Sequence, residues 1–250
     1  MVYLGKGEGF NIKHIVQFSN GAGSTYVAWW ALQNFPKEDV ILLNHDPGAE
    51  HKDSRRFQKQ VSKFLDHLIT EVNHDKTLWE LIEDQSCLPS SFIPWCTRLL
   101  KAEPAEKFYK SLNEEFVMYN GFGRDEWRRV QKATARAESE GRKVRSPLFE
   151  LGMTGEDAKN IIRNEWRICL PEPYMYLQHN NCIPCFKAGQ GHFKAVAKYY
   201  PEEYEKACQM EELTGHTVFK NTTLRKLQKV AMTEQDQLEL FDSTPCMCAN

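Results

Sequence analysis

Two short apolar runs with one helical stretch between them constrain this chain more than any other feature. Residues 14–18 (HIVQF) and 40–44 (VILLN) read as buried strands. Between them Val27, Trp30, Ala31 and Asn34 recur at helical spacing, so a helix is predicted over 24–34 and the order is strand, turn, helix, strand. Such a unit sets its two strands parallel with a right-handed crossover. Further on, Val61, Phe64, Leu65, Leu68, Ile69 and Val72 fall at i, i+3, i+4, i+7, i+8 and i+11, the spacing of one amphipathic helix lying on a sheet. A second such helix is predicted over 105–116 through Phe108, Leu112 and Phe116, followed by a strand at 116–119. The expected fold is α/β: a doubly wound, mostly parallel, Rossmann-like sheet flanked by helices, with a small cysteine-containing helical region towards the carboxyl end.

Beyond residue 128 the composition changes. Residues 128–146 are dense in charge and poor in apolar side chains, which predicts an exposed helix and then a flexible or ligand-ordered loop over 141–146. A short Thr-capped helix over 154–164 leads into a Pro-rich turn at 170–173. Helical periodicity returns over 191–208 through Phe193, Val196, Ala197 and Tyr200, broken near Pro201, and beyond 221 a polar tail carries a helix at 223–232. With 41% hydrophobic residues among 250, the chain can bury one sizeable core, which excludes intrinsic disorder. No apolar run approaches membrane-spanning length and the first residues lack a signal-peptide pattern, so a cytoplasmic protein with no membrane partner is expected. A formal charge of −2 gives no bulk-charge argument for nucleic-acid binding and leaves local basic patches open.

Eight cysteines are many for a reducing compartment, and their spacing separates them into kinds. Cys87, Cys169 and Cys208 stand singly and read as small buried or half-buried side chains. Cys182 and Cys185 form a CxxC, and Cys246 and Cys248 a CxC. The turn after the first strand, Ser19-Asn20-Gly21-Ala22-Gly23-Ser24-Thr25, is built of small residues ahead of a helix amino end, a composition that lets backbone N–H groups approach an anion. It has neither the Walker nor the dinucleotide-fingerprint spacing. Directly after the second strand comes HDPGAEHKDSRRF, residues 45–57, which opens onto the same crevice at the strands' carboxyl ends.

SNGAGST followed by HDPGAEHKDSRRF resembles the SGGxxS loop and DTGxExxDTxRF motif of the phosphoadenosine phosphosulfate reductase family, within the PP-loop and adenine nucleotide alpha-hydrolase superfamily. WCTRLLKAEP (95–104) is similar to that family's CCxxxKxxP, GFGRDE (121–126) to GxRxDE/Q, KVRSPLFEL with TGEDAKNII and LPEPYMY to the stretch that follows, and NNCIPC (180–185) to GCxPC. These motifs occur in the family's order over roughly residues 12–215. The resemblance implies an adenine nucleotide, with magnesium as a companion ion, held by Ser19, Gly21, Gly23, Ser24, Asp46, Glu50, Arg124 and Arg145. It implies sulfur chemistry in which Asp46 and the tail thiols of Cys246 and Cys248 take catalytic parts. It also implies a cysteine-bound iron-sulfur cluster on Cys96, Cys182 and Cys185, either with one open iron or with Cys246 or Cys248 as a fourth ligand; zinc on the same thiols is the alternative.

Three departures qualify what is carried over. Ala22 and Gly23 stand where ATP-cleaving relatives have the Lys and Asp of SGGKDS, Trp95 replaces the first Cys of the CC pair, and the tail lacks the reductases' ECGLH. The expected partners are therefore an adenine nucleotide together with either a thioredoxin-like thiol reductant or a nucleic-acid substrate, and the alternative to an enzyme is a non-catalytic nucleotide-binding module with structural zinc. The expected organisation is a nucleotide-binding domain over 1–220 that includes the CxxC and a tail over 221–250 that carries the CxC.

Overall fold

A computed structural model describes residues 12–233. The tail cysteines Cys246 and Cys248 lie outside the described residues. The predicted βαβ unit is present as β1 (Lys13–Gln17), α1 (Ala22–Asn34) and β2 (Val40–Asn44). α2 (Lys52–Leu65) and β3 (Ile69–Glu71) follow, then α3 (Leu78–Gln85), the single turn α4 (Trp95–Thr97), α5 (Glu103–Ser111) and β4 (Phe116–Tyr119). The chain continues through α6 (Trp127–Ser139), β5 (Lys143–Arg145), the short α7 (Pro147–Glu150) and α8 (Gly155–Asn160), and ends in α9 (Gln190–Tyr199), α10 (Pro201–Thr214) and α11 (Leu224–Thr233).

The five strands form one sheet in the order β3-β2-β1-β4-β5, every pair parallel. Helices cover both faces, as a doubly wound Rossmann-like fold requires, and the alternation of side chains along β1 and β2 explains why. Val16 and Leu42 point to one face and pack with Val27 and Ala31 of α1, Phe57 and Val61 of α2 and Ala158 of α8. Ile15 and Leu43 point to the other and meet Ala105 and Tyr109 of α5. A separate apolar cluster joins α3, α9, α10 and α11 to the segment around Ile183 and Phe186.

Three expectations are corrected. The amphipathic helix expected through Val72 stops at Leu65, where Asp66 turns left-handed at φ 47° and Ser62 accepts the His67 N–H through its carbonyl at 3.2 Å. Ile69-Thr70-Glu71 then pairs with Leu42–Asn44 as a parallel edge strand; β-branched residues beside an open strand gain more from ladder hydrogen bonds than from another helical turn, and Leu68 is left exposed. The helix expected over 105–116 ends at Ser111, which leaves Phe116 to begin β4. The loop expected over 141–146 contains β5: Gly141, at φ 67°, ends α6, and Lys143-Val144-Arg145 extends the sheet on β4 as a charged edge.

The expected polar tail is also more integrated than its composition suggested. Leu224 and Leu227 of α11 are buried, the Tyr204 hydroxyl donates to the Leu224 carbonyl at 2.7 Å, and α11 lies on α9. Glu211, buried in α10, accepts the Val218 N–H at 2.9 Å and the Leu224 N–H at 2.7 Å. Glu211→Ala therefore orphans two backbone donors, and a loss of roughly 2 kcal/mol or more is expected in urea unfolding; an unchanged midpoint and slope would show that α11 docks without this carboxylate.

Candidate functional site: a crevice at the switch point and an adjoining cysteine cleft

The sheet order reverses between β1 and β4, so the loops leaving these strands diverge and open a crevice at their carboxyl ends. Two glycines hold the loops together there. A Cβ on Gly23 would lie 2.3 Å from the Gly121 carbonyl oxygen, and one on Gly121 would lie 2.4 Å from the Ser24 nitrogen. Neither position has room for any side chain. The loop is otherwise pinned by its own hydroxyls. Ser24 Oγ accepts the Ser19 N–H at 3.1 Å and donates to the Gly21 carbonyl at 3.0 Å, and Thr25 Oγ1 donates to that same carbonyl at 2.9 Å. Asn20 takes the left-handed conformation at φ 57°, which Asn tolerates better than other side chains.

At the amino end of α1, the Ala22 N–H donates to the Tyr174 hydroxyl at 3.0 Å. The first helical N–H is thus met by a hydroxyl that reaches in from the Pro-rich turn. Asn180 follows from the same segment: it accepts from Ser54 Oγ at 2.9 Å and donates through Nδ2 to the Asn20 carbonyl at 2.9 Å. Neither Tyr174 nor Asn180 stood out as a site residue in the sequence. Each lies inside a motif-like stretch, LPEPYMY and NNCIPC, and that position was the available signal.

Glu50 stands where the two halves of the site meet. Its carboxylate accepts from Asn20 Nδ2 at 3.3 Å, and its backbone forms an antiparallel bridge with Cys182, extended by the Ile183 N–H donating to the Ala49 carbonyl at 2.8 Å. Burial pushes the Glu50 carboxyl up to about 7, against the opposing pull of Lys101, Asn20 and Arg55, with Asp46 adding to the rise. His45 is buried, its Nδ1 meets the Val72 carbonyl, and burial lowers its pKa, helped by Lys101. A carbonyl partner requires Nδ1 to carry the proton, so Nε2 bears the lone pair; that atom has no hydrogen-bond partner among the described residues.

The remaining nucleotide candidates diverge. Asp46 is occupied structurally: Oδ1 accepts the Gly48 N–H at 2.8 Å and Oδ2 accepts from Arg55 Nη2 at 2.6 Å. Arg124 is exposed in the turn directly after Gly123, beside the crevice. Arg145 does not turn towards the β1 loop. Its guanidinium pairs with Glu150 and lies 5.5 Å from the centre of the Trp30 ring, on the sheet face that α1 covers. Asp53 and Arg56, from the DSRRF stretch, form a two-pronged pair, and Arg56 also donates to the Cys169 and Leu170 carbonyls while Asp53 accepts the Glu172 N–H. That pair fastens α2 to the Pro-rich turn.

Next to Glu50 lies a cleft lined by Pro47, Leu78, Pro89, Cys96, Thr97, Leu100, Lys101, Asn181, Cys182, Cys185, Phe186 and Lys187. Three cysteines from two separate motifs thus share one cleft. The Cys185 N–H donates to His192 Nε2 at 3.0 Å, and the buried Lys187 ammonium donates to Thr97 Oγ1 at 2.6 Å. Among the described residues no three His, Cys, Asp or Glu side chains are gathered tightly enough to hold a metal ion. None of the six described cysteines is in a disulfide. Cys208 is buried, with its thiol pushed up to about 11 by burial, and Cys87 is half-buried, but Cys169 is exposed, contrary to expectation. Its carbonyl serves Arg56 while its side chain faces outward. Among the described residues no helix is long and apolar enough to cross a membrane.

No protein-family model matches the chain, and no curated protein matches it.

The Glu50 shift carries a sign. The folded protein keeps the Glu50 proton up to about 7, whereas an unfolded chain releases it near 4.5. The folded state therefore binds the extra proton between these values, and stability falls as pH rises through that window, by about 3 kcal/mol in all. Glu50→Gln carries no titrating group and should flatten this slope in urea unfolding across the window; an equal slope in both proteins would assign the titration elsewhere.

Proposed function

We propose that this protein binds an adenine nucleotide at the β1/β4 crevice and carries out sulfur chemistry with the cysteines of the adjoining cleft. The observation that supports it most is the convergence of Cys96, Cys182 and Cys185 on one cleft whose wall is joined, through the Glu50–Cys182 bridge, to the loop that would hold the nucleotide. In this reading Ser19, Gly21, Gly23 and Ser24 take the anion: the Gly23 and Ser24 N–H groups at the amino end of a thirteen-residue helix have no protein acceptor among the described residues, and the dipole there favours negative charge. Tyr174 and Asn180 hold the loop in shape, and Arg124 supplies a guanidinium at the rim. Glu50, titrating near neutrality, exchanges a proton beside the bound group.

Soft thiolate donors fit an iron-sulfur cluster or zinc, and Cys96, Cys182 and Cys185 would hold it after drawing together. Lys101 and Lys187, on the same cleft, would offset the charge of the thiolates. A bound cluster would supply an electron or sulfide at the cleft. Two routes fit these parts. In the first, a thiolate of Cys246 or Cys248 attacks the sulfur of a sulfonucleotide, an S–S bond forms as the S–O bond to phosphate breaks, and a dithiol of thioredoxin type reduces the product. In the second, ATP adenylates an oxygen of a nucleic acid, and sulfide displaces AMP from it. Ala22 and Gly23, in the places of a Lys and an Asp, favour an alternative on one point: with fewer groups to engage pyrophosphate, the crevice would bind a nucleotide without cleaving it, and the thiols would hold structural zinc.

Two measurements on anaerobically purified protein test this. Iron with matching acid-labile sulfide, lost in Cys182→Ala, is expected; zinc without sulfide would favour the structural alternative. Calorimetric titration with ATP and with adenosine phosphosulfate should show binding that falls at least tenfold, about 1.4 kcal/mol, in Gly121→Ala, because the new methyl cannot fit against Ser24. Absence of binding by either nucleotide to the parent protein would overturn the proposal.

A further inference from the structure

The charged middle of the chain resolves into two kinds of cation. Four of its arginines are spent inside the protein: Arg129 on Glu126, Arg136 on Glu140, Arg142 on Glu106 and Arg145 on Glu150. Arg124, Arg128 and Lys132 are exposed and make no ion pair among the described residues. They are spaced i, i+4 and i+8 across the turn Arg124–Glu126 and the helix α6 that continues it. Arg128 and Lys132 lie one turn, about 6 Å, apart along α6 on the side away from the buried Ala137, and Arg124 precedes them in the turn that leads into the helix, so the basic stripe runs from that turn along α6. The intervening Asp125 side chain is folded back towards Gly123.

An aromatic ring lies along this stripe. Trp127 is 47% exposed, and the Arg128 guanidinium sits over its face at 5.1 Å from the centroid. The turn Arg124–Glu126 packs on α7, whose Phe149 is exposed as well. The stripe begins at Gly121–Gly123, the loop pressed against the β1 turn, and so runs outward from the mouth of the crevice.

We infer that Arg124, Arg128, Lys132 and Trp127 form a docking surface for single-stranded nucleic acid that leads into the crevice. Cations repeated along one surface match a polyphosphate backbone, and the exposed part of an indole offers a base something to stack on; an acidic polypeptide would use the charges and leave the ring idle. As the acceptor in the sulfur transfer proposed above, the polymer rests on that reading, but its binding does not, because Arg128, Lys132 and Trp127 on α6 lie outside the nucleotide loop.

The test is fluorescence-anisotropy binding of labelled oligothymidylate and oligouridylate to the full chain with no adenine nucleotide present, over a range of salt. Three phosphate contacts predict a slope of log K against log salt of about −2, at about −0.7 per contact for single strands. Arg128→Ala with Lys132→Ala should bring the slope to about −0.7, and Trp127→Ala should weaken binding roughly tenfold with the slope retained. Lys59→Ala, an exposed cation on α2, should change neither. ATP titration of the same variants reads the crevice separately, and thermal melting checks that they fold. The inference is overturned by no oligonucleotide binding at low salt, by a slope unmoved in the double variant, or by poly-glutamate binding as tightly as the oligonucleotides with no effect of Trp127→Ala.

Discussion

The contact between Gly23 and Gly121 is the constraint on which the rest of the site depends. In a sheet whose order reverses between β1 and β4, the two loops at the reversal would splay apart unless something held them, and here the backbones themselves touch. Such an approach needs two residues without a Cβ at once. It costs conformational entropy in the unfolded chain, because glycine has more freedom to lose. In return it sets the amino end of α1 and the start of the Arg124 turn at a fixed separation. Rigid placement of this kind matters for an anion site, where donors already in position lose little on binding.

A second layer of contacts joins that crevice to the cysteine cleft. The segment from Glu172 to Lys187 crosses both: Tyr174 reaches the first N–H of α1, Asn180 ties Ser54 to the Asn20 carbonyl, and Cys182 bridges Glu50. Asn180 is buried and spends both halves of its amide on two different elements, so movement of the cysteine segment would be felt at Asn20 and then at the Glu50 carboxylate. The charge on Glu50 is the natural point of coupling. Near neutral pH a small change in the field at that carboxyl, from an anion in the crevice or a charge in the cleft, would move it between its two forms.

The parts of the fold legible in the sequence were those where one physical signal acted alone. β1, α1 and β2 each carry an uninterrupted pattern, apolar runs for buried strands and helical spacing for the crossover. The edge strands β3 and β5 were not legible, because an edge strand is paired on one side only and needs no apolar run. Ile69-Thr70-Glu71 continued a helical spacing by coincidence, and Lys143-Val144-Arg145 looked like a charged loop. The same contrast holds in the site. Gly23 belonged to a loop whose composition announced a close backbone approach. Arg145 owes its place among the anion ligands to a motif resemblance, and its commitment to Glu150 and Trp30 depends on strand pairing that no local pattern records. Asn180, with no charge and no periodicity, becomes meaningful only once α2 and the β1 loop are brought beside it.

Why three thiols should share a cleft without forming a tight group follows from what a thiol is before it meets a metal. Protonated cysteine packs as a small hydrophobe, and the cleft's apolar walls of Pro47, Leu78, Leu100 and Phe186 suit it in that form. Gathering three sulfurs as thiolates would bring like charges together, which is favourable only against a cation. The three also sit on different backbone. Cys185 is buried, with its backbone N–H bonded to His192, whereas Cys96 sits on the single turn α4 and Cys182 on the bridge to Glu50. Because Cys182 is bridged to the Glu50 strand, a metal bound in the cleft as proposed would be felt at the crevice carboxylate.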